Sequence, residues 1–124
     1  MNPISIQPTS HSPLIEFNPN GHLLIEGRAI PEDVFRLFDP LIEFVQNLSD
    51  VDVRFDVNLE YFNTATSKKL MELFKNIDAN NKIKNILINW HFEEGDEDSI
   101  DMAEIYEESL LKTEFRYHEY AEAV

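Results

Sequence analysis

From Val51 to Tyr61 the chain alternates strictly. Val51, Val53, Phe55, Val57, Leu59 and Tyr61 are apolar, and Asp52, Arg54, Asp56, Asn58 and Glu60 between them are polar. Successive side chains of a strand point to opposite faces, so this period predicts a strand buried on one side, with Tyr61 on the inner face. From Leu70 the spacing lengthens, and Leu70, Met71, Phe74 and Ile77 recur at helical intervals. Between the two periods stand Asn63, Thr64, Thr66 and Ser67, small polar side chains crowded at a helix entrance.

The same patterns divide the rest of the chain. Residues 1–12, with Pro3 and Pro8 among Ser, Thr, Asn and Gln, read as a loosely ordered arm carrying at most a short edge strand around Ile4 to Gln7. Leu14 to Phe17 and His22 to Glu26, joined by NPNG, read as a β-hairpin. Pro31, Glu32 and Asp33 suit the first turn of a helix whose apolar stripe is Val34, Phe38, Leu41, Val45 and Leu48, broadened by Phe35, Leu37, Ile42 and Phe44. Pro40 interrupts that stripe at a cost of roughly 3 kcal/mol in a regular helix, which predicts a kink near Arg36 to Asp39 or two helices in sequence.

Residues 83–92 form the next strand, with Ile86, Ile88, Trp90 and Phe92 on one face and Leu87, Asn89 and His91 on the other. A helix follows from Ile100 to Leu111, with Met102, Ile105, Tyr106, Ser109 and Leu110 inward, and Glu114 to Tyr120 form a last strand. The order is three strands, then helix and strand in alternation, which implies crossovers and parallel neighbours in an α/β fold. Because the strands are apolar on one face only, helices should cover mainly one side of the sheet.

Composition narrows the function classes. At 124 residues one domain is expected, with a core that needs no disulfides, and there is no Cys to make any. The net charge of −14 repels nucleic acid and anionic membrane, so neither is expected as a partner. The N-terminus lacks the pattern of a secretory signal and no apolar run is long enough to span a bilayer, so a soluble cytoplasmic protein is expected. The three glycines make no phosphate cradle, and no G-x-S-x-G elbow exists. His11, His22, His91 and His118 have no metal-site spacing, and Glu93, Glu94, Asp96, Glu97, Asp98 and Asp101 do not match an EF-hand. No catalytic residue, metal or cofactor is expected, and the acidic run reads as a solvated loop feeding a helix or as a docking surface for a basic patch.

The helix entrance carries the remaining chemistry. Asn63 and the hydroxyls of Thr64, Thr66 and Ser67 can simply cap the helix, each cap contributing about 1 kcal/mol. Free amides at the positive end of the dipole also favour a phosphate, either on one of those hydroxyls or on a bound ligand. The ligand alternative is a sensor or enzyme for a phosphometabolite or nucleotide, its pocket closed by Tyr61, Phe62 or His91. Lys68 and Lys69 are the local basic residues, and as long charged side chains they read first as a solvated helix face.

The stretch LEYFNTATSKKL resembles the motif of the SiaC-family regulatory phosphoproteins, which have the STAS fold and are similar to the SpoIIAA-type anti-sigma-factor antagonists. The likeness extends through LIEFNPNGHLLIEGRAIPED, VFRLFDPLIEFV and ILINWHFEEGDED, and covers about residues 9–120. It implies a single STAS/SpoIIAA-like domain over 1–124: a mixed sheet, helices mainly on one face and an N-terminal hairpin. It further implies a non-enzymatic phosphorylation switch in bacterial signalling. A kinase of the histidine-kinase-like ATPase type would modify the helix entrance, a PP2C-type phosphatase would reverse it, and the unphosphorylated form would bind an effector such as a diguanylate cyclase. The family's phosphothreonine follows Asn, which corresponds to Thr64 after Asn63, with Thr66 and Ser67 as rivals. Partner contacts would fall on Asn63, Thr64, Lys68 and Lys69. SpoIIAA-type proteins carry Asp-Ser at this place, so Asn-Thr leans towards the SiaC type.

Overall fold

The computed structural model describes residues 1–122. Its strands are β1 (Ile4–Ile6), β2 (Leu14–Phe17), β3 (His22–Ala29), β4 (Val51–Phe62), β5 (Ile83–Glu93) and β6 (Thr113–Tyr120), and they lie side by side in chain order in one sheet. β1, β2 and β3 pair antiparallel, with the expected hairpin joining β2 to β3, and β3 to β6 run parallel. Parallel neighbours need crossovers, which α1 (Val34–Gln46), α2 (Thr64–Ala79) and α3 (Glu97–Glu108) supply.

The one-sided alternation of the strands decides where the helices go. Phe17, Ile25, Phe55, Val57, Ile88 and Trp90 are buried on the helix side, whereas Glu16, Glu26, Arg54, Asp56, Asn58 and His91 alternate with them on the opposite, open face. Edge-to-face aromatic pairs tie the layers together. Phe17 meets Phe44 of α1 at 5.6 Å and Phe55 at 5.4 Å; Phe55 meets Phe74 of α2 at 5.6 Å; Phe74 meets Tyr106 of α3 at 5.1 Å. Such pairs contribute about 0.5–1.5 kcal/mol each beyond the area they bury.

Several local expectations are corrected. Asp33 is the N-cap of α1, accepting from the Arg36 amide at 3.0 Å, so Pro31 and Glu32 precede the helix instead of forming its first turn. A cap needs extended backbone, and Asp33 adopts it. Pro40 sits within one uninterrupted helix, not between two. Both Pro40 and Arg36, whose carbonyl loses its partner, are exposed, so water can serve that carbonyl. Phe35 stands outside the stripe, largely exposed.

Tyr61 also leaves its expected face. The β3–β4 register passes from Gly27 opposite Leu59 to Arg28 opposite Tyr61, which makes Glu60 an extra residue and reverses the alternation beyond it. Tyr61 accordingly faces out, 58% exposed, and Phe62 turns in to meet Trp90 at 6.3 Å. Finally, α3 begins at Glu97 rather than Ile100, because Asp96 caps the Ser99 amide at 3.1 Å. Its inner face is Ser99, Ala103 and Tyr106, and Ile105 is exposed.

Candidate functional site

Where β4 runs into α2, hydrogen bonding sorts the polar residues by role. Asn63 is the N-cap: its side-chain oxygen accepts from the Thr66 amide and its carbonyl from the Ser67 amide, both at 2.9 Å. The Thr66 hydroxyl donates to the Ala29 carbonyl at 2.7 Å and is fully buried. Ser67, also buried, donates its hydroxyl to the Thr64 carbonyl at 2.8 Å. Thr64 is exposed, and its hydroxyl makes no hydrogen bond among the described residues. The Thr64 and Ala65 amides, the first two of the helix, are likewise unclaimed there. The motif residues are thus brought together, but as two anchors, one cap and one free hydroxyl.

The surrounding relief does not come from a reversal of strand order, the usual origin of a crevice in open α/β sheets, because the order here never reverses. It comes from the entrances of α2 and α3, which stand side by side at the ends of adjacent strands. Between them lies an open depression of about 370 Å³, lined by Glu60, Tyr61 and Phe62 of β4, by Thr64, and by Asp96 and Asp98 of the α3 entrance. The acidic segment after β5 therefore faces the motif after β4. Its placement was readable in principle, since parallel neighbouring strands deliver their following loops to the same end of a sheet.

This neighbourhood is acidic. Burial, and then the carboxylates of Glu93, Glu60, Asp96 and Glu26, raise the Tyr120 phenol above its ordinary range. Lys69 gives little basic relief, because it is not the solvated side chain expected: only 11% of it is exposed, and it bridges Asp39 of α1 at 2.9 Å and Glu72 at 3.1 Å. The hydrogen bond to Asp39 raises its pKa, and the ammonium lies 4.4 Å from the centre of the Phe35 ring. Lys68 is exposed. Arg28, which the sequence did not single out, lies 5.7 Å from the Tyr61 ring centre, brought there by the bulge at Glu60.

Three bonds secure the wall that α3 provides. The Tyr106 hydroxyl donates to the Ser67 carbonyl in the first turn of α2 at 2.9 Å, and burial pushes that phenol up. Trp90 donates its indole N–H to the Ser99 hydroxyl at 2.9 Å, and Asp96 caps the Ser99 amide. Every member is buried except Asp96, so each bond is costly to break.

His91 is not part of this site. It lies on the open face, 3.1 Å from Asp56 and stacked on His118 at 4.8 Å, while His118 bonds the Asn89 side-chain oxygen at 2.8 Å. With Arg54 and Asn58 it borders a separate shallow groove of about 650 Å³. Among the described residues no three His, Asp or Glu side chains are placed to hold a metal ion, and no helix is long and apolar enough to cross a membrane.

Comparison with known proteins identifies the fold and the family. A protein of Pseudomonas aeruginosa without an assigned function is 26% identical over 113 residues, spanning 87% of this chain and 90% of its own length. The fold is that of apo-SiaC from Pseudomonas aeruginosa, with a TM-score of 0.82, 22% identity and coverage of 95% of this chain and 99% of that one. It also matches the structure of the diguanylate cyclase SiaD with its activator SiaC, with a TM-score of 0.83, 22% identity and coverage of 94% and 99%. The family model for SiaC regulatory phosphoproteins matches residues 6–120. By that match over nearly its whole length, the chain belongs to the SiaC family of regulatory phosphoproteins.

Proposed function

We propose that the chain is a non-enzymatic cytoplasmic switch whose phosphorylated residue is Thr64. A kinase of the histidine-kinase-like ATPase type transfers the γ-phosphoryl group of ATP to the Thr64 hydroxyl oxygen. The hydroxyl proton passes to a base on the kinase and ADP leaves. A PP2C-type phosphatase hydrolyses the ester, restoring the hydroxyl and releasing inorganic phosphate. The unphosphorylated chain binds its effector, a diguanylate cyclase of the kind that SiaC activates in Pseudomonas aeruginosa.

The observation that carries this reading is the difference between the hydroxyls. Thr66 and Ser67 are buried and committed to the Ala29 and Thr64 carbonyls, and Thr64 is exposed and uncommitted. A phosphate there brings about −1.5 to −2 charges beside Glu60, Asp96 and Asp98, which alters the face an effector meets. The same carboxylates speak against an anionic metabolite as resident ligand, and the depression is open. Incubation with the cognate kinase and labelled ATP tests the assignment: Thr64→Ala abolishes incorporation. Label retained on that variant at the wild-type level would overturn it.

A further inference from the structure

We infer that phosphorylation of Thr64 undocks α3 from the entrance of α2, so that the switch is conformational as well as electrostatic. This rests on Thr64 as the modified residue. The free amides of Thr64 and Ala65 can hold part of a phosphate, and that contact favours it. Against it stand Asp96 and Asp98 at the α3 entrance and Glu60 at the end of β4, carboxylates that line the same depression. Lys69, the nearest buried cation on α2, is held by Asp39 and Glu72 and points its charge towards α1. A dianion in this depression is therefore repelled chiefly by the wall formed by α3.

That wall is the one able to yield. Glu60 is held between Leu59 and Tyr61, both of which pair with β3, and Thr64 belongs to a helix with Leu70, Leu73, Phe74 and Ile77 buried. In contrast, α3 buries only Ser99, Ala103 and Tyr106, and its outer face carries Glu97, Asp98, Asp101, Glu104, Glu107 and Glu108. Its hold on α2 at this end is the Tyr106 bond to the Ser67 carbonyl, three residues from the phosphate. Elements with few buried apolar side chains open at the lowest free energy. Displacing α3 breaks the Tyr106–Ser67 and Trp90–Ser99 bonds together and exposes the apolar side chains beneath.

Trp90, the single tryptophan of the chain, reports the event because its indole is bonded to α3 and packed on Tyr106 at 5.7 Å. The experiment uses full-length chain with phosphothreonine installed at position 64 during synthesis, independently of any kinase. Its tryptophan emission should shift to the red, and amide exchange at Ala103 and Tyr106 should accelerate roughly tenfold or more. The double variant Glu60→Gln/Asp98→Asn, which spares the Asp96 cap, should suppress most of both effects. Unchanged emission and exchange in the phosphorylated chain would overturn the inference, and so would an equal response in the double variant. Labelling of Thr64 by the kinase without undocking would sink the inference alone; undocking without labelling would sink the acceptor assignment alone.

Discussion

The Thr66 hydroxyl donates a hydrogen bond to the carbonyl of Ala29 at 2.7 Å, joining the first turn of α2 to the end of β3 in a fully buried contact. Thr66→Val keeps the shape but strands that carbonyl. We expect a loss of about 1–3 kcal/mol in urea unfolding, with phosphorylation of Thr64 retained. Loss of labelling in a variant that remains folded would instead make Thr66 the acceptor.

Lys69 and Lys68 are neighbours in sequence with different roles. Lys69→Met removes the bridge to Asp39 and Glu72 together with the ring contact to Phe35, and should cost about 1 kcal/mol, less at high salt. Lys68→Ala should lie within about 0.5 kcal/mol of wild type, as an exposed side chain does. Equal midpoints in urea for both variants would contradict a structural role for the Lys69 bridge.

Asp78 fastens the segment between α3 and β6. Its carboxylate accepts from the Leu111 amide at 3.0 Å and from the Lys112 amide and Thr113 hydroxyl at 2.9 Å. Partial burial pushes its pKa up, but those donors outweigh it and hold the group below the ordinary 3.8. A carboxylate depressed in the folded state stabilises above its unfolded pKa and loses that contribution as pH falls through the folded value. Wild type should therefore lose stability below about pH 4 more steeply than Asp78→Asn. The variant should be less stable near neutrality by about 1 kcal/mol, the group being partly solvated. Thermal melts from pH 3 to 7 read both.

Gly21, in the turn between β2 and β3, has a φ of +98°, and a Cβ there would stand 2.0 Å from the Asp52 carbonyl oxygen. Its own carbonyl accepts from the Arg54 amide at 2.9 Å, so the turn cannot simply move away from β4. Gly21→Ala should cost about 3 kcal/mol or more, strain and collision together. A change below 1 kcal/mol in urea unfolding would mean that the turn can rearrange at little cost.

The periods of the chain told most of the architecture, because each strand that is apolar on one face records which side its helices occupy. The alternation Val51 to Leu59 and the stripe Leu70 to Ile77 led directly to β4, α2 and the one-sided sheet. Phase was legible only as far as Leu59: the bulge at Glu60 depends on pairing with Gly27 and Arg28, residues remote in sequence, and it turned Tyr61 out. Lys69 failed for a similar reason. Charge and helical position suggest solvent, but the carboxylate of Asp39, 30 residues away, draws it between α1 and α2. At the site, the sequence offered Thr64, Thr66 and Ser67 as alternatives, and the likeness to a family favoured Thr64. The commitment of Ser67 to the Thr64 carbonyl is local, but that of Thr66 depends on the carbonyl of Ala29, beyond the reach of any local pattern.

The chain-order sheet has a consequence for synthesis. After the antiparallel start, each helix–strand unit adds to the edge left by the strand made just before it, so no strand must wait for a later one to be inserted beside it. The protein can grow on the ribosome in the order it emerges, with one advancing edge. Among the described residues β6 forms that edge, with no further strand paired beyond it.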